Sequence, residues 1–233
     1  MSSAAQALAQ EFAELHLHLK SDDHPNASAQ RLVDLACQVV PGCTWAGITS
    51  WPSRRSPVTI AASADFPLVV DALQYSLEEG PCMSAAAETW TSWAPDLTTE
   101  TRWPRFTAAV LEQSPVRGAL GYHLAGVPGR HALNLYSDRA DVFDQETLAA
   151  GALFATHAGV LMAHARTTHE ANQLEGAVES NRVIGTAVGL LMATHDMPRD
   201  AAFDALKRTS SYLNRKVRDI AADVTTTRVL PRT

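Results

Sequence analysis

The stretch from Asp144 to about Thr194 keeps a helical apolar pattern for almost fifty residues without a proline. A run of that length predicts a coiled-coil or interdomain helix rather than a surface helix of a small domain. Steps of four and three from Leu153 place Leu153, His157, Val160, His164, Thr167, Ala171, Leu174, Val178, Asn181, Gly185, Val188 and Met192 on one seam. Polar residues at core positions of a coiled coil lower its stability while fixing register, which predicts a weak, adjustable homodimer through this helix. Up to about Leu161 the helix is expected to pack along a sheet of its own chain. The seam ends in "NRVIGTAVGLLM", Asn181 to Met192, where Gly185 and Gly189 each cost roughly 1 kcal/mol relative to alanine in a helix. Such a cost implies close approach on that face, by another helix with Phe203 inserting against the groove, or by a ligand.

Before this helix the period changes repeatedly. A helix carrying Leu8, Phe12, Leu15 and Leu19 is followed by the break "SDDHPNAS" and a second helix, "SAQRLVDLACQVV", capped by Asn26 or Ser28 and stopped at Pro41-Gly42. The segments "CTWAGITSW", "PVTIAAS", "TWTSW", "VRGALGYHLAG" and "RHALNLYSD" read as strands, the first two joined by the hairpin "PSRRS". Helices are expected at "FPLVVDALQYS" and "WPRFTAAVLEQ", with "LEEGPC" as a loop between the first of these and the third strand. This order predicts an α+β fold, an antiparallel sheet with flanking helices, followed by the long helix. Two short helices close the chain, one with Pro198 in its first turn and one opening at an Asn214 cap.

Composition narrows the class. The chain has 233 residues, 46% of them hydrophobic and 19% charged, the profile of a globular protein. There is no run of 18 apolar residues, and the first twenty residues lack a signal peptide's basic start and apolar centre, so a cytoplasmic protein with no membrane partner is expected. Cys37, Cys43 and Cys82 have neither disulfide-framework nor zinc spacing. His157 and His164 share a helix face without supporting carboxylates, and no metal or other cofactor is expected. The net charge of −6 is unevenly spread: residues 181–233 hold nine Lys/Arg and five Asp/Glu, net +4, against −10 for residues 1–180. An acidic body with a basic tail points toward nucleic acid.

The three-helix tail resembles an ANTAR domain in Ile184, Ala187, Gly189, Leu190, Leu191 and Met192, then Ala202, Phe203 and Leu206, then Asn214, Val217, Ile220 and Ala221. It departs at Val188, where members often carry lysine. The segment from Ser28 to Ala165 resembles a GAF domain, most closely in "DALQYSLEEGPC" through Leu73, Gln74, Glu79, Gly80, Pro81 and Cys82. These resemblances imply an N-terminal helix (1–24), a GAF-like sensor (25–165), a helical linker or coiled coil (166–180) and an ANTAR-like RNA-binding domain (181–233). They imply a regulator, not an enzyme, that promotes transcription antitermination by binding paired RNA hairpins in leader transcripts.

RNA recognition needs cations for the phosphates and a surface that reaches unpaired loop bases. Lys207, Arg208, Arg215, Lys216 and Arg218 flank the turn "TSSYLN", where Ser210 and Ser211 add hydroxyls and Tyr212 a stacking ring. Arg182 is a phosphate contact or pairs with Glu179 of a partner helix, and Ala187 with Gly189 offers a small face to a base. In the sensor, Glu79, Gly80, Pro81 and Cys82 are loop candidates for lining a cavity for an unidentified small molecule. The alternatives are a DNA-binding regulator, a thiol reductase using Cys82 or Cys43, and a sensor or scaffold whose tail has lost RNA binding through Val188.

Overall fold

The computed structural model describes residues 25–52, 56–87 and 90–231. The expected helix over residues 1–24 and the tip of the hairpin "PSRRS" lie outside them. Two compact units divide the chain, Met1–His169 and Glu170–Thr233.

In the first unit a five-stranded antiparallel sheet runs in the order β2-β1-β5-β4-β3, from β1 (Trp45–Trp51), β2 (Val58–Ala62), β3 (Thr91–Ala94), β4 (Gly118–His123) and β5 (Arg130–Ser137). Strand β1 pairs along its whole length with β5, from Trp45 opposite Tyr136 to Trp51 opposite Arg130. Helix α1 (Pro25–Val39) and the start of the long helix α5 (Gln145–His195) cover one face. There Leu32, Ala36, Phe154, Ala158 and Leu161 pack on Ile48, Leu120, Leu133 and Leu135. The other face carries α2 (Asp65–Leu77), α3 (Pro81–Ala87) and α4 (Pro104–Gln113), with Val70, Phe106 and Val110 against Ala119 and Tyr136. With helices on both faces of the sheet, β4 is buried at every position but His123 and β5 at every position but Arg130.

Two local expectations change. Helix α1 opens at Pro25, a residue suited to the first helical turn, so Ser28 lies inside the helix, fully buried, and caps nothing. The "LEEGPC" loop is shorter than expected, because Glu78 ends α2 in the left-handed region and α3 restarts at Pro81.

The second unit comprises the end of α5, α6 (Arg199–Leu213) and α7 (Val217–Thr227) around Ala187, Val188, Leu191, Leu206, Ile220 and Val224. Asn214 closes α6 instead of opening α7: at φ 51° it sends its N–H to the Ser210 carbonyl, and α7 starts after Lys216. Asn tolerates the left-handed region that a helix C-terminus needs. The seam of α5 divides here too. Leu153 and Val160 in the first unit, and Leu174 (67%) and Val178 (62%) in the second, are exposed, but Val188 is buried against this chain's own α6 and α7. Helix α5 also contains an 18-residue window of mean hydropathy 1.4, long and apolar enough by composition to cross a membrane. Its Phe154, Ala158, Leu161 and Met162 are instead buried in the sheet core.

Candidate functional site

The second unit has an open groove of about 720 Å³. One wall is α5, through Asn181, Ile184, Gly185, Val188, Gly189 and Met192, and the other is α6, through Arg199, Asp200 and Phe203. A Cβ added at Gly185 or at Gly189 would meet nothing within 4 Å. The two glycines therefore do not serve packing within this unit, and Phe203 lines the groove with 39% of its surface exposed rather than filling it. An exposed aromatic edge beside a bare backbone floor is a seat for a flat apolar group.

Cations lead away from the groove along α6. Lys207 stands one turn beyond Phe203, its Nζ 5.1 Å from the ring centroid and 2.8 Å from the Asp204 carboxylate. Beyond it, Arg208, Arg215, Lys216 and Arg218 are all exposed around the α6–α7 turn. Arg215 pairs with Asp223 at 2.7 Å and Arg218 with Asp219 at 3.5 Å. Exposed pairs of this kind are weak and exchange readily for phosphate. Tyr212 is 70% exposed and Ser211 is exposed, whereas the Ser210 hydroxyl donates to the Arg215 carbonyl and so holds the turn.

Two candidates sit elsewhere than expected. Ala187 is 0% exposed inside the three-helix core, on a different side of α5 from the groove, so no base reaches it; Gly185 takes the place beside Gly189 that Ala187 was expected to hold. Arg182 pairs with Glu179 of its own helix through two nitrogens, at 2.8 and 2.7 Å.

In the first unit the sensor-loop candidates interlock with a buried polar cluster that the sequence pattern did not reveal. Asp71 of α2 is fully buried, its Oδ1 accepting from Tyr136, from Asn134 at 3.1 Å and from Gln74 at 3.3 Å, its Oδ2 from Thr59 at 2.7 Å. Tyr75 Oη joins Thr49 at 2.8 Å and Thr59 at 2.9 Å. Gln74 carries the cluster to α3, where its Oε1 accepts the Cys82 N–H at 2.8 Å. Gly80, at φ +125°, makes this reach available, since a Cβ there would lie 2.5 Å from that same Oε1. Glu79 turns the other way and accepts the N–H groups of Arg105 and Phe106 at the start of α4, while Arg105 Nε reaches it at 2.6 Å. These donors hold the Glu79 carboxyl below its ordinary range. Pro81 is the first residue of α3. Cys82 is fully buried, and burial with the nearby Asp71 charge pushes its thiol far up, which removes it as an accessible nucleophile.

Burial pushes the Asp71 carboxyl up to about 6 from 3.8, although Tyr136, Thr59, Thr49 and Asn134 each pull it down. A carboxyl raised on folding adds stability that is complete below its unfolded value and is lost as the pH rises through its folded one. The advantage of wild type over Asp71→Asn is expected to shrink by about 2 kcal/mol between pH 4 and pH 7. Urea titrations of both proteins at the two pH values measure this, and carboxylates held low, such as Glu79, cancel in the difference.

The model of the ANTAR domain matches residues 172–224, which include both the groove and the basic turn. No curated protein matches the chain. Among solved structures, the GAF domain of a phosphoenolpyruvate-protein phosphotransferase from Acinetobacter is similar with a TM-score of 0.54 at 12% identity, covering 73% of this chain and 99% of that one. The equivalent domain from Coxiella burnetii gives 0.52 at 15% identity, covering 71% and 98%. The structure of fRMsr of Staphylococcus aureus in its reduced form gives 0.53 at 11% identity, covering 70% and 97%. At these identities the likeness is one of fold. The chain thus has a GAF–ANTAR architecture, a GAF-type fold followed along the sequence by an ANTAR domain.

Proposed function

We propose that this protein is a signal-responsive, RNA-binding regulator of the cytoplasm that promotes transcription antitermination, acting by binding rather than by catalysis. The observation that carries the reading is the open groove of the ANTAR domain, floored by Gly185 and Gly189, edged by Phe203 and continued by Lys207 toward the basic turn. A hairpin loop supplies the matching chemistry, an unstacked base for the groove and closely spaced phosphates for the cations. Val188 supports this role despite replacing a common lysine, because it is a buried member of the three-helix core and the cations on α6 and α7 remain exposed.

The protein acts as a homodimer through α5, whose exposed Leu153, Val160, Leu174 and Val178 lie on one heptad seam. Pairing gives each molecule two RNA-binding domains, so a second hairpin binds at raised effective concentration. A small molecule taken up by the GAF-like unit shifts that pairing through its differential affinity for two states.

The test is a filter-binding titration of the full chain on a two-hairpin leader RNA, with duplex DNA of equal length as competitor at one salt concentration. RNA is expected to bind and DNA to compete poorly. Changing Lys207, Arg208, Arg215 and Lys216 together to alanine is expected to lower the slope of log K against log salt by about 3. Equal competition by DNA, or a slope unchanged in the variant, overturns the reading.

A further inference from the structure

The buried cluster around Asp71 holds a carboxyl with no cation bonded to it. Among the described residues its hydrogen-bond partners are hydroxyls and amides: Tyr136, Asn134 and Gln74 on Oδ1, and Thr59 and, at 3.4 Å, Thr49 on Oδ2. The titratable groups that face it are Tyr75 of its own helix, Tyr136 of β5 and Cys82 of α3. Each is pushed up by burial and by the Asp71 charge, and so is neutral near pH 7. From α4 the same layer receives the apolar Phe106 and Val110. A carboxylate walled in by neutral groups is costly to keep ionised, even with the hydrogen bonds it receives.

A proton needs a way in, and hydroxyls supply it. Asp71 Oδ2 accepts from Thr59 at 2.7 Å, Thr59 Oγ1 lies 2.9 Å from Tyr75 Oη, and Tyr75 Oη lies 2.8 Å from Thr49 Oγ1. In the last two contacts either oxygen can donate, so this chain of hydroxyls reverses by rotation alone. Asp71 is 0% exposed, but Thr59 and Tyr75 are half-buried, and β2, which carries Thr59, is an edge strand of the sheet. The chain therefore leads from the interior toward solvent. The balance of donors points the same way: Asn134 Oδ1 is buried without a donor, and a protonated carboxyl adds one donor to the cluster.

We propose that Asp71 is a reversible proton-binding site of the folded protein, filled through the Thr59 and Tyr75 hydroxyls, whose occupancy sets how firmly Gln74 ties α2 to α3. A solvent acid gives a proton to Tyr75 Oη, Tyr75 passes its own to Thr59, and Thr59 passes its own to Asp71 Oδ2. At each step one O–H bond forms as another breaks, the net gain is one proton, and release runs the chain backwards. For the donors on Oδ1 the acceptor changes from charged to neutral, which weakens the bonds from Tyr136, Asn134 and Gln74. Gln74 is the outlet. Its Nε2 donates to Asp71 while its Oε1 accepts the Cys82 N–H at 2.8 Å, at the start of α3. Acidification thereby reaches the segment from Glu79 to Cys82, whether or not the ANTAR domain binds RNA.

The experiment follows the Asp71 carboxyl carbon and the Cys82 backbone amide by NMR in the full, isotope-labelled chain between pH 4 and pH 8, with tryptophan fluorescence to show that it stays folded. Both signals are expected to titrate together, with one midpoint at about 6. In Asp71→Asn the Cys82 amide is expected to lose that transition. Thr59→Val keeps the side-chain shape and removes a donor that favours the carboxylate, so the midpoint is expected to rise by about one pH unit. Tyr75→Phe breaks the hydroxyl chain without touching Asp71 and is expected to slow exchange between the two forms, splitting the carbon signal at the midpoint. A wild-type Asp71 carbon that keeps one form over the whole range overturns the proton site. A Cys82 amide that titrates unchanged in Asp71→Asn overturns the link to α3, and exchange unchanged in Tyr75→Phe overturns the route. The first result is read on wild type, so the test does not depend on a variant folding.

Discussion

Replacing Asp71 with alanine is expected to destabilise the GAF-like unit by about 3 kcal/mol at pH 5, enough to unfold a marginal domain on mild warming. The carboxyl accepts from donors on β1, β2, β5 and its own helix, and its loss strands the buried Tyr136 hydroxyl and leaves the Asn134 amide with the Thr49 hydroxyl as its one remaining acceptor. A buried donor without an acceptor costs roughly 1–3 kcal/mol, and the space left by the carboxyl adds to it. At pH 7 the loss is expected to be smaller, because the ionised carboxylate is itself costly to bury. All five tryptophans lie between positions 45 and 103, so urea unfolding followed by tryptophan fluorescence reads this unit. A change of under about 1 kcal/mol at pH 5 would show that the cluster contributes little to stability, since typical surface substitutions stay within about 0.5 kcal/mol.

The same cluster marks what the sequence withheld. Strand positions, the Pro41-Gly42 stop and the proline-free long helix are legible because period and breakers act locally, and each appears where expected. Thr49, Asn134 and Tyr136 are separated by 85 and 2 residues, and nothing local shows that they face the same carboxylate across a sheet. Their signal is weak but present: polar residues recur at alternate positions of β5, a strand whose residues from His131 on are all buried. Helix α3, seven residues long, is too short to display a helical period. The heptad arithmetic placed Val188 on the seam of α5, but a stripe cannot tell a partner's helix from the chain's own α6 and α7, which claim that residue. Ala187, two residues from Gly189 and so on another side of the helix, is buried in the three-helix core. The cations were visible in the sequence, whereas the pairing of Arg215 with Asp223, eight residues on, required the turn to be built.

Filling the glycine groove is expected to separate stability from RNA binding. Gly185→Ala and Gly189→Ala each add a methyl that meets nothing within 4 Å, in an exposed helix interior where alanine is favoured. Each is expected to stabilise the ANTAR domain by about 1 kcal/mol, read as a later loss of helical circular dichroism on heating the full chain. The double variant Gly185→Leu, Gly189→Leu keeps a strong helix former at both sites but fills the space opposite Phe203. Its affinity for the leader RNA is expected to fall on the order of 10- to 100-fold, the worth of one or more stacked bases, with the salt slope unchanged because every cation remains. The four-alanine variant of the basic turn is expected to do the reverse, flattening the slope while leaving the groove intact. If the leucine variant binds RNA as wild type does, the groove is not the base's seat, and the exposed Tyr212 beside the basic turn becomes the stacking surface to test.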